Sequence, residues 1–324
     1  MRICIAGEGA IARKHLDALE RIDSVDVVSI AGGNGDDTAA LAAERGIPFW
    51  SLDLAEAIDQ PGVEAVVLTT PTQLHAEQAI AVMESGRHVL VEIPMADSLA
   101  DAEAVVAGQQ RTGVTAMACH TRRFNPSHQW IHERVRRGEL NLQHLVVETF
   151  FFRRENTNAL GQPRTWTDHL LWHHACHTVD LFGYQSTHDA DVAWAQQGPL
   201  HPQLGIATDM TIGLRAAATG ALCTLALSFN NQGPFGTFFR YICDNGTYIA
   251  RYDELVDGDG NDVDLSTVAA SNDGIELQDR EFLAAVAEGR EPNASVAQCL
   301  PAMRTLDQLQ RSIETHPFEA GRST

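Results

Sequence analysis

The sequence predicts two folded parts. The first is a doubly wound parallel α/β sheet over residues 1–122. The second, over 123–324, is α+β, with an open, mostly antiparallel sheet and helices on one face. Three observations lead there. Short apolar runs alternate with amphipathic stretches up to about Arg122. Beyond it, strand patterns follow one another with no helix between them. A length of 324 residues, 44% of them hydrophobic, suits two cores better than one.

The first part is spelled out by the apolar runs Ile3–Ala6, Val25–Ala31, Val63–Thr69, His88–Val91 and Val114–Cys119. Between them, helical spacing marks Thr38–Arg45, stopped by Gly46-Ile47-Pro48, then Thr72–Ser85 and Ala96–Gln110. In the second part, Phe124–Gly138 predicts a helix, Leu145–Phe152 a strand rich in Val and Phe, and Trp166–Gly183 a helix. Five strands then succeed each other: Val192–Gln196, Thr211–Leu214, Ala221–Phe229, Thr237–Cys243 and Thr247–Arg251. Gly and Asn turns such as Asp244-Asn245-Gly246 join them. The Gly/Asp-rich segment Asp257–Asp264 is expected to be a surface loop, and helices near Leu277–Glu288 and Val296–Thr315 end the pattern.

Charge narrows the partners. With 43 acidic and 23 basic residues the formal net charge is −20, so nucleic acid and anionic lipid are disfavoured. No segment approaches the roughly 20 apolar residues of a membrane helix. The first residues already read as a strand, and the six cysteines are scattered without a CxxC pair. A cytoplasmic protein with reduced core cysteines is the expectation.

The first chemical signal is Gly7-Glu8-Gly9-Ala10-Ile11-Ala12, set between the first strand and a helix. Gly7 permits the tight turn, Gly9 allows a pyrophosphate to approach the main chain, and Ala12 keeps helix and strand close. The N–H groups opening the helix, around Ala10 and Ile11, would receive the phosphates. In this context the loop predicts a Rossmann dinucleotide site. The second strand ends in Ala31-Gly32-Gly33-Asn34, without the acid that usually binds a ribose 2′-hydroxyl. That small, uncharged tip leaves room for a 2′-phosphate, although Arg13 is the only arginine nearby in the first helix. The expectation is NADP, with NAD as the alternative.

Further motifs stand at the carboxyl ends of strands, where open α/β sheets bind ligands. They are Thr70-Pro71-Thr72-Gln73-Leu74-His75, Glu92-Ile93-Pro94 and His120-Thr121-Arg122-Arg123-Phe124-Asn125-Pro126. Together with the glycine loop they resemble the glucose–fructose oxidoreductase/inositol dehydrogenase family over nearly the whole chain. Phe151-Phe152-Arg153-Arg154, Pro163–His174 and Asn245-Gly246-Thr247 narrow the resemblance. They are similar to family members that oxidise the cyclic hemiacetal of a ring-cleavage semialdehyde to 2-pyrone-4,6-dicarboxylate with NADP. Two departures from the wider family fit that branch. The usual Glu-Lys-Pro is Glu92-Ile93-Pro94, and the usual Asp four residues before the helical histidine is His173, four before His177.

The resemblance implies roles for the remaining candidates. Thr70, Pro71, His75, Glu92, Ile93 and Trp166 would line the ribose and nicotinamide, with Asn125 touching the carboxamide or substrate. Each has a plainer alternative as a turn, core or solvated residue. His169, His173 and His177 recur every four residues, so a helix would carry them on one face. A metal site is one reading of such a row, but no supporting Glu-x-x-His exists and none is expected. A structural set is the second, and acid–base chemistry with anion binding the third. For a hemiacetal, His177 is expected to be the base, with His173 its partner or alternate; the sequence does not separate them. A dicarboxylate substrate would call on Arg122, Arg123 and Arg164, helped by His169, ahead of Arg153 and Arg154. The rival readings are a sugar or polyol dehydrogenase of the same family and a non-catalytic cofactor-binding sensor. Leu222, Leu225, Leu227 and Phe229 suggest an apolar sheet face covered by a homodimer or higher oligomer.

Overall fold

Ile3, Cys4 and Ile5 lose all solvent contact because β1 (Arg2–Ala6) is a central strand of a parallel sheet, the kind buried on both faces. The structure, a computed structural model, describes residues 1–157, 161, 163–164, 166–187, 189–269 and 271–315. The chain continues through α1 (Ala10–Leu19), β2 (Asp26–Ala31), α2 (Gly35–Arg45), β3 (Phe49–Ser51), α3 (Leu54–Ile58) and β4 (Ala65–Leu68). Then come α4 (His75–Glu84), β5 (His88–Val91), α5 (Leu99–Thr112) and β6 (Ala116–Ala118). The strand order is β3-β2-β1-β4-β5-β6, all parallel. Order reverses between β1 and β4, so a ligand crevice is expected at their carboxyl ends. Local chemistry sets the helix limits. The Asn34 side chain accepts from the Asp37 N–H at 3.1 Å to start α2, and Gly46 ends it in the left-handed region at φ 64°.

The second unit begins at Thr121. It contains α6 (Pro126–Arg136), β7 (Leu142–Phe150), a π-helical turn Leu170–Ala175 and α7 (Cys176–Ser186). Six strands follow: β8 (Ala190–Gln197), β9 (Asp209–Ala216), β10 (Leu222–Ser228), β11 (Gly236–Cys243), β12 (Gly246–Arg251) and β13 (Glu254–Asp257). They form one seven-stranded sheet, β13-β12-β11-β7-β10-β9-β8, in which only the β7–β10 pair is parallel. The chain closes with α8 (Gly274–Glu288) and α9 (Val296–Thr315). Ile275–Leu300 packs back into the first unit, where Ser295 bridges to Met117 beside β6. The first crossing between units falls after His120, and later crossings lie at the start of α8 and within α9.

Two sequence expectations need correction. The helix expected from Trp166 starts only at Leu170, because His169 is extended and its Nδ1 caps the turn by accepting from the Leu171 N–H at 3.2 Å. Upstream, Asp168 is held by arginine pairs rather than by helical hydrogen bonds. The apolar residues of β10 also do not form an outer face. Leu225, Leu227 and Phe229 are buried, and only Leu222 of that set is exposed, at 45%. A strand sends alternate side chains to opposite faces, so a continuous apolar run says nothing about its exposed side. The six cysteines are all free and buried. Among the described residues no helix is long and apolar enough to cross a membrane.

Candidate active site

The glycine loop meets its structural requirements. Gly7 has φ +117°, donates to the Ala31 carbonyl at 2.7 Å, and a Cβ there would strike the Thr69 carbonyl. A Cβ on Gly9 would meet nothing within 4 Å, so the space over this residue is open. Gly9 caps α1 without a side-chain hydrogen bond, which leaves the N–H groups opening that helix for an anion. Ala12 is buried against the sheet. These are the properties a dinucleotide pyrophosphate needs, and the residues fit the group.

At the tip of β2 the structure adds a residue that the sequence reading passed over. The Glu8 carboxylate accepts from the Gly33 N–H at 3.1 Å and the Asn34 N–H at 3.0 Å. An acid thus stands at the end of β2 after all, delivered from the glycine loop instead of from the strand. The signal was the charged residue between Gly7 and Gly9. Arg13, the candidate for a 2′-phosphate, donates instead to Glu44 at 2.8 and 2.7 Å. Gly32 is packed tightly over the Thr38 side chain.

The loops after β4 and β5 are tied together by His75. This residue is 1% exposed, and its two nitrogens lie 2.8 Å from the Thr70 and Pro94 carbonyls. Its ring atoms are therefore taken up inside the fold, and the residues left to line a ligand are Thr70 and Pro71, both half-buried. The Thr70 hydroxyl donates to Gln78 at 2.6 Å. Glu92, directly after β5, accepts from His15 of α1 at 3.0 Å and from the Ile93 N–H at 3.0 Å. His15 is fully buried, and its other nitrogen meets both Asp279 oxygens at 2.9–3.0 Å. Burial pulls the His15 pKa down, but Asp279, Cys119 and Glu92 outweigh it and hold the ring well above its ordinary value. His15, Glu92 and Cys119 lie close enough together to invite a metal reading. Both ring nitrogens face carboxylates, however, so the charged imidazole has no lone pair to give.

In the second unit the five arginines have different fates. Arg123 is buried and donates to Asp180 through Nε at 2.8 Å and Nη2 at 2.6 Å. Arg153 and Arg164 share Asp168, at 2.7 and 2.8 Å, with the His174 Nε2 3.9 Å away. Burial works against ionising Asp168, yet His174, Arg153 and Arg164 hold its carboxyl well below the usual range. Arg153 stacks on Phe229 and Arg164 on Trp166, at 4.8 and 4.5 Å. Arg154 donates to the main-chain carbonyls of Arg153 and Phe229. Arg122 makes no direct ion pair among the described residues, but the Asp253 carboxylate acts on it and is tied to it through Asn125. Its guanidinium lies 4.9 Å from the Tyr252 ring and 5.6 Å from Phe239, and its Nε is buried without a hydrogen-bond partner. Asn125 bridges Arg122, at 3.4 Å, to Asp253, at 2.6 Å, and so does not cap α6.

The histidine row is only partly helical. His169 precedes the π-helical turn, His173 lies within it and His177 is in the first turn of α7. The His173 Nδ1 accepts from the His169 N–H at 2.9 Å, and its ring stacks on Trp166 at 5.8 Å. Burial, with His174 adding to it, lowers the His169 pKa and keeps that ring neutral.

Comparison with known proteins defines the class. Residues 1–120 match a family described as oxidoreductases with an NAD-binding Rossmann fold, and residues 126–269 match the C-terminal domain of bacterial oxidoreductases. The chain belongs to the Gfo/Idh/MocA family of oxidoreductases, as the motifs led us to expect. It is 59% identical to 4-carboxy-2-hydroxymuconate-6-semialdehyde dehydrogenase of Sphingobium sp. (strain NBRC 103272 / SYK-6) over 314 residues, 97% of this chain and 99% of the relative. It is 29% identical to the scyllo-inositol 2-dehydrogenase (NAD(+)) of Bacillus subtilis (strain 168) over 43% of this chain and 41% of that one. A levoglucosan dehydrogenase solved with NADH shares the fold, with a TM-score of 0.85 and 19% identity over 97% of each chain.

Proposed function

We propose that this protein oxidises the cyclic hemiacetal of 4-carboxy-2-hydroxymuconate-6-semialdehyde to 2-pyrone-4,6-dicarboxylate, in the cytoplasm, with the dinucleotide held by the first unit. The observation that carries the reading is the set of part-buried arginines with few directly paired carboxylates, in a chain of net charge −20. Arg122 is joined to a carboxylate, Asp253, only through Asn125, and Arg153 with Arg164 share one. A buried guanidinium without a counter-charge is costly, and a carboxylated substrate removes that cost. Of the expected contacts, Arg122, Arg164 and Asn125 fit best, and Arg153 joins them. Arg123 serves by orienting Asp180.

Bound nicotinamide would supply the hydride acceptor. The rest falls to side chains of this chain. As hydride leaves the ring carbon, its hydroxyl must lose a proton so that the C=O of the lactone can form. His173 accepts a main-chain N–H at Nδ1, so its neutral ring carries the proton on Nε2 and can only donate there. His173 therefore suits holding a substrate oxygen, and His177 suits taking the proton. His169, neutral and engaged at Nδ1, likewise offers only a donor.

NADP follows from the uncharged tip of β2, provided that a 2′-phosphate displaces Glu8 from Gly33 and Asn34. NAD is favoured by that same carboxylate, which needs no displacement to accept a 2′-hydroxyl. The Val192 and Trp194 side chains of β8, 38% and 46% exposed, and Leu222 of β10 are apolar surface suited to a homodimer. Sedimentation showing a monomer at micromolar concentration would refute the dimer. Catalysis is tested by absorbance of reduced nicotinamide after mixing the enzyme with freshly ring-cleaved protocatechuate and NADP or NAD. Rapid reduction that His177→Ala loses supports the reading. No reduction with either cofactor overturns it, and leaves the sugar-alcohol reading to the same assay with inositols.

A further inference from the structure

Outside the arginine and histidine clusters, the first unit holds a hydrogen-bonded triad, Asp279–His15–Glu92. Its three members come from distant stretches of chain: α1, the residue after β5, and α8. Asp279 and His15 are 1% and 0% exposed, whereas the Glu92 side chain keeps 14% of its surface open. The triad thus has a sealed end and an open end. The open end stands at the carboxyl edge of the parallel sheet, on the side where such sheets bind ligands.

The geometry rules out a proton relay. His15 has no solvent access, and Asp279 behind it has almost none, so a proton entering from Glu92 has no exit. Pinning is what the geometry does allow. Glu92 Oε1 is fixed by His15 and Oε2 by the Ile93 N–H, which leaves one rotamer and the outward lone pairs. The His15 ring lies between the two carboxyl groups, and the lone pairs of Glu92 that point outward are left to accept hydrogen bonds. Acceptors of that kind, fixed at the edge of a nucleotide-binding sheet, match ribose hydroxyl donors.

We propose that His15 and Asp279 are positioning residues that fix the carboxylate of Glu92, the residue already expected at the nicotinamide-side ribose of the bound dinucleotide. The inference rests on the reading of the first unit as the dinucleotide site. It gives α8 a function: this helix returns to the first unit and delivers the buried anchor of the triad. It also gives a function to the helix that opens at the pyrophosphate loop, since His15 lies one turn and a half along it. The alternative is a latch that fastens α8 to α1 and leaves the ligand untouched.

A double-mutant cycle separates the two. Dinucleotide affinity is read from quenching of tryptophan fluorescence, and folding from thermal unfolding, for Glu92→Gln, His15→Asn and the pair combined. Positioning predicts that each single variant weakens the dinucleotide about tenfold, the scale of one or two lost hydrogen bonds to a charged acceptor. The double variant should then bind no worse than Glu92→Gln alone. If His15→Asn lowers the unfolding temperature but binds as the wild type does, or if the two losses add in full, the proposal is wrong. Should His15→Asn not fold, Asp279→Asn replaces it in the same cycle with the same two outcomes. A wild-type protein that binds neither NADP nor NAD overturns the cofactor reading itself, a result distinct from either outcome.

Discussion

Replacing Glu8 with glutamine should raise the preference for NADP over NAD by about tenfold. The estimate starts from the two main-chain donors, Gly33 and Asn34, that the carboxylate occupies at 3.1 and 3.0 Å. A hydrogen bond to a charged acceptor contributes about 1.5–3 kcal/mol and a neutral one about 0.5–1.5. Glutamine therefore holds these donors more weakly by about 1 kcal/mol each, or about 2 kcal/mol together. The site is partly exposed, so solvent and salt remove a third or more of that, leaving about 1.4 kcal/mol, a factor of about ten. The shape of the side chain is kept, which confines the change to charge. The assay compares kcat/KM for NADP and NAD at one fixed substrate concentration and ionic strength. A 2′-phosphate gains from losing the competing anion, while a 2′-hydroxyl loses a good acceptor, so the two constants should move in opposite directions. A ratio within twofold of wild type would refute the reasoning, because it would mean that Glu8 does not occupy the ground a 2′-phosphate needs.

The remaining predictions follow from other parts of the structure. Gly7→Ala forces a Cβ toward the Thr69 carbonyl at φ +117°, so the unfolding temperature should fall by several degrees and dinucleotide binding should be lost. Arg122→Met keeps apolar contact with Tyr252 and removes the charge; KM for the carboxylated substrate should rise at least tenfold, and an unchanged KM would remove Arg122 from the site. Burial lowers the pKa of His132 to about 4 and that of His128 well below its ordinary value, so both are neutral in the fold. The unfolded chain takes up these protons first, and stability is therefore lost as pH falls from about 6.5 toward 4. His132→Phe, which keeps the stack on Tyr184, should flatten that loss in thermal unfolding curves, and an unaltered slope would count against it.

Much of the fold was legible because hydrophobic period is a local property. The runs around Ile3, Val66 and Val89 announce buried parallel strands by being apolar at every position, and all three are completely buried. β3 escaped notice because three residues are too few to show a period, and one of them, Trp50, is 45% exposed. β13 lay next to a Gly/Asp-rich stretch and borrowed its loop character. The helix from Trp166 was drawn too long for a different reason. Asp168 binds Arg153, 15 residues away, and His169 binds the main chain, and such bonds override propensity without leaving a mark on spacing.

The same distinction governs the candidate site. Sequence can say that an arginine is near a motif, but not whether a carboxylate has already taken its donors. Arg122 and Arg123 are neighbours with the same side chain, yet Arg123 is paired directly with Asp180 while Arg122 meets rings and an amide and reaches Asp253 only through that amide. Arg153, ranked behind Arg164 in the sequence, shares Asp168 with it as an equal. His15 and Asp279 lie 264 positions apart and carry no motif at all, so nothing short of the folded chain could pair them. Pairing decides whether a charge is structural or available, and pairing is set by tertiary contact. The residues worth testing first are therefore those whose charge no direct ion pair takes up, which places Arg122 ahead of Arg123 and Glu8 ahead of Arg13.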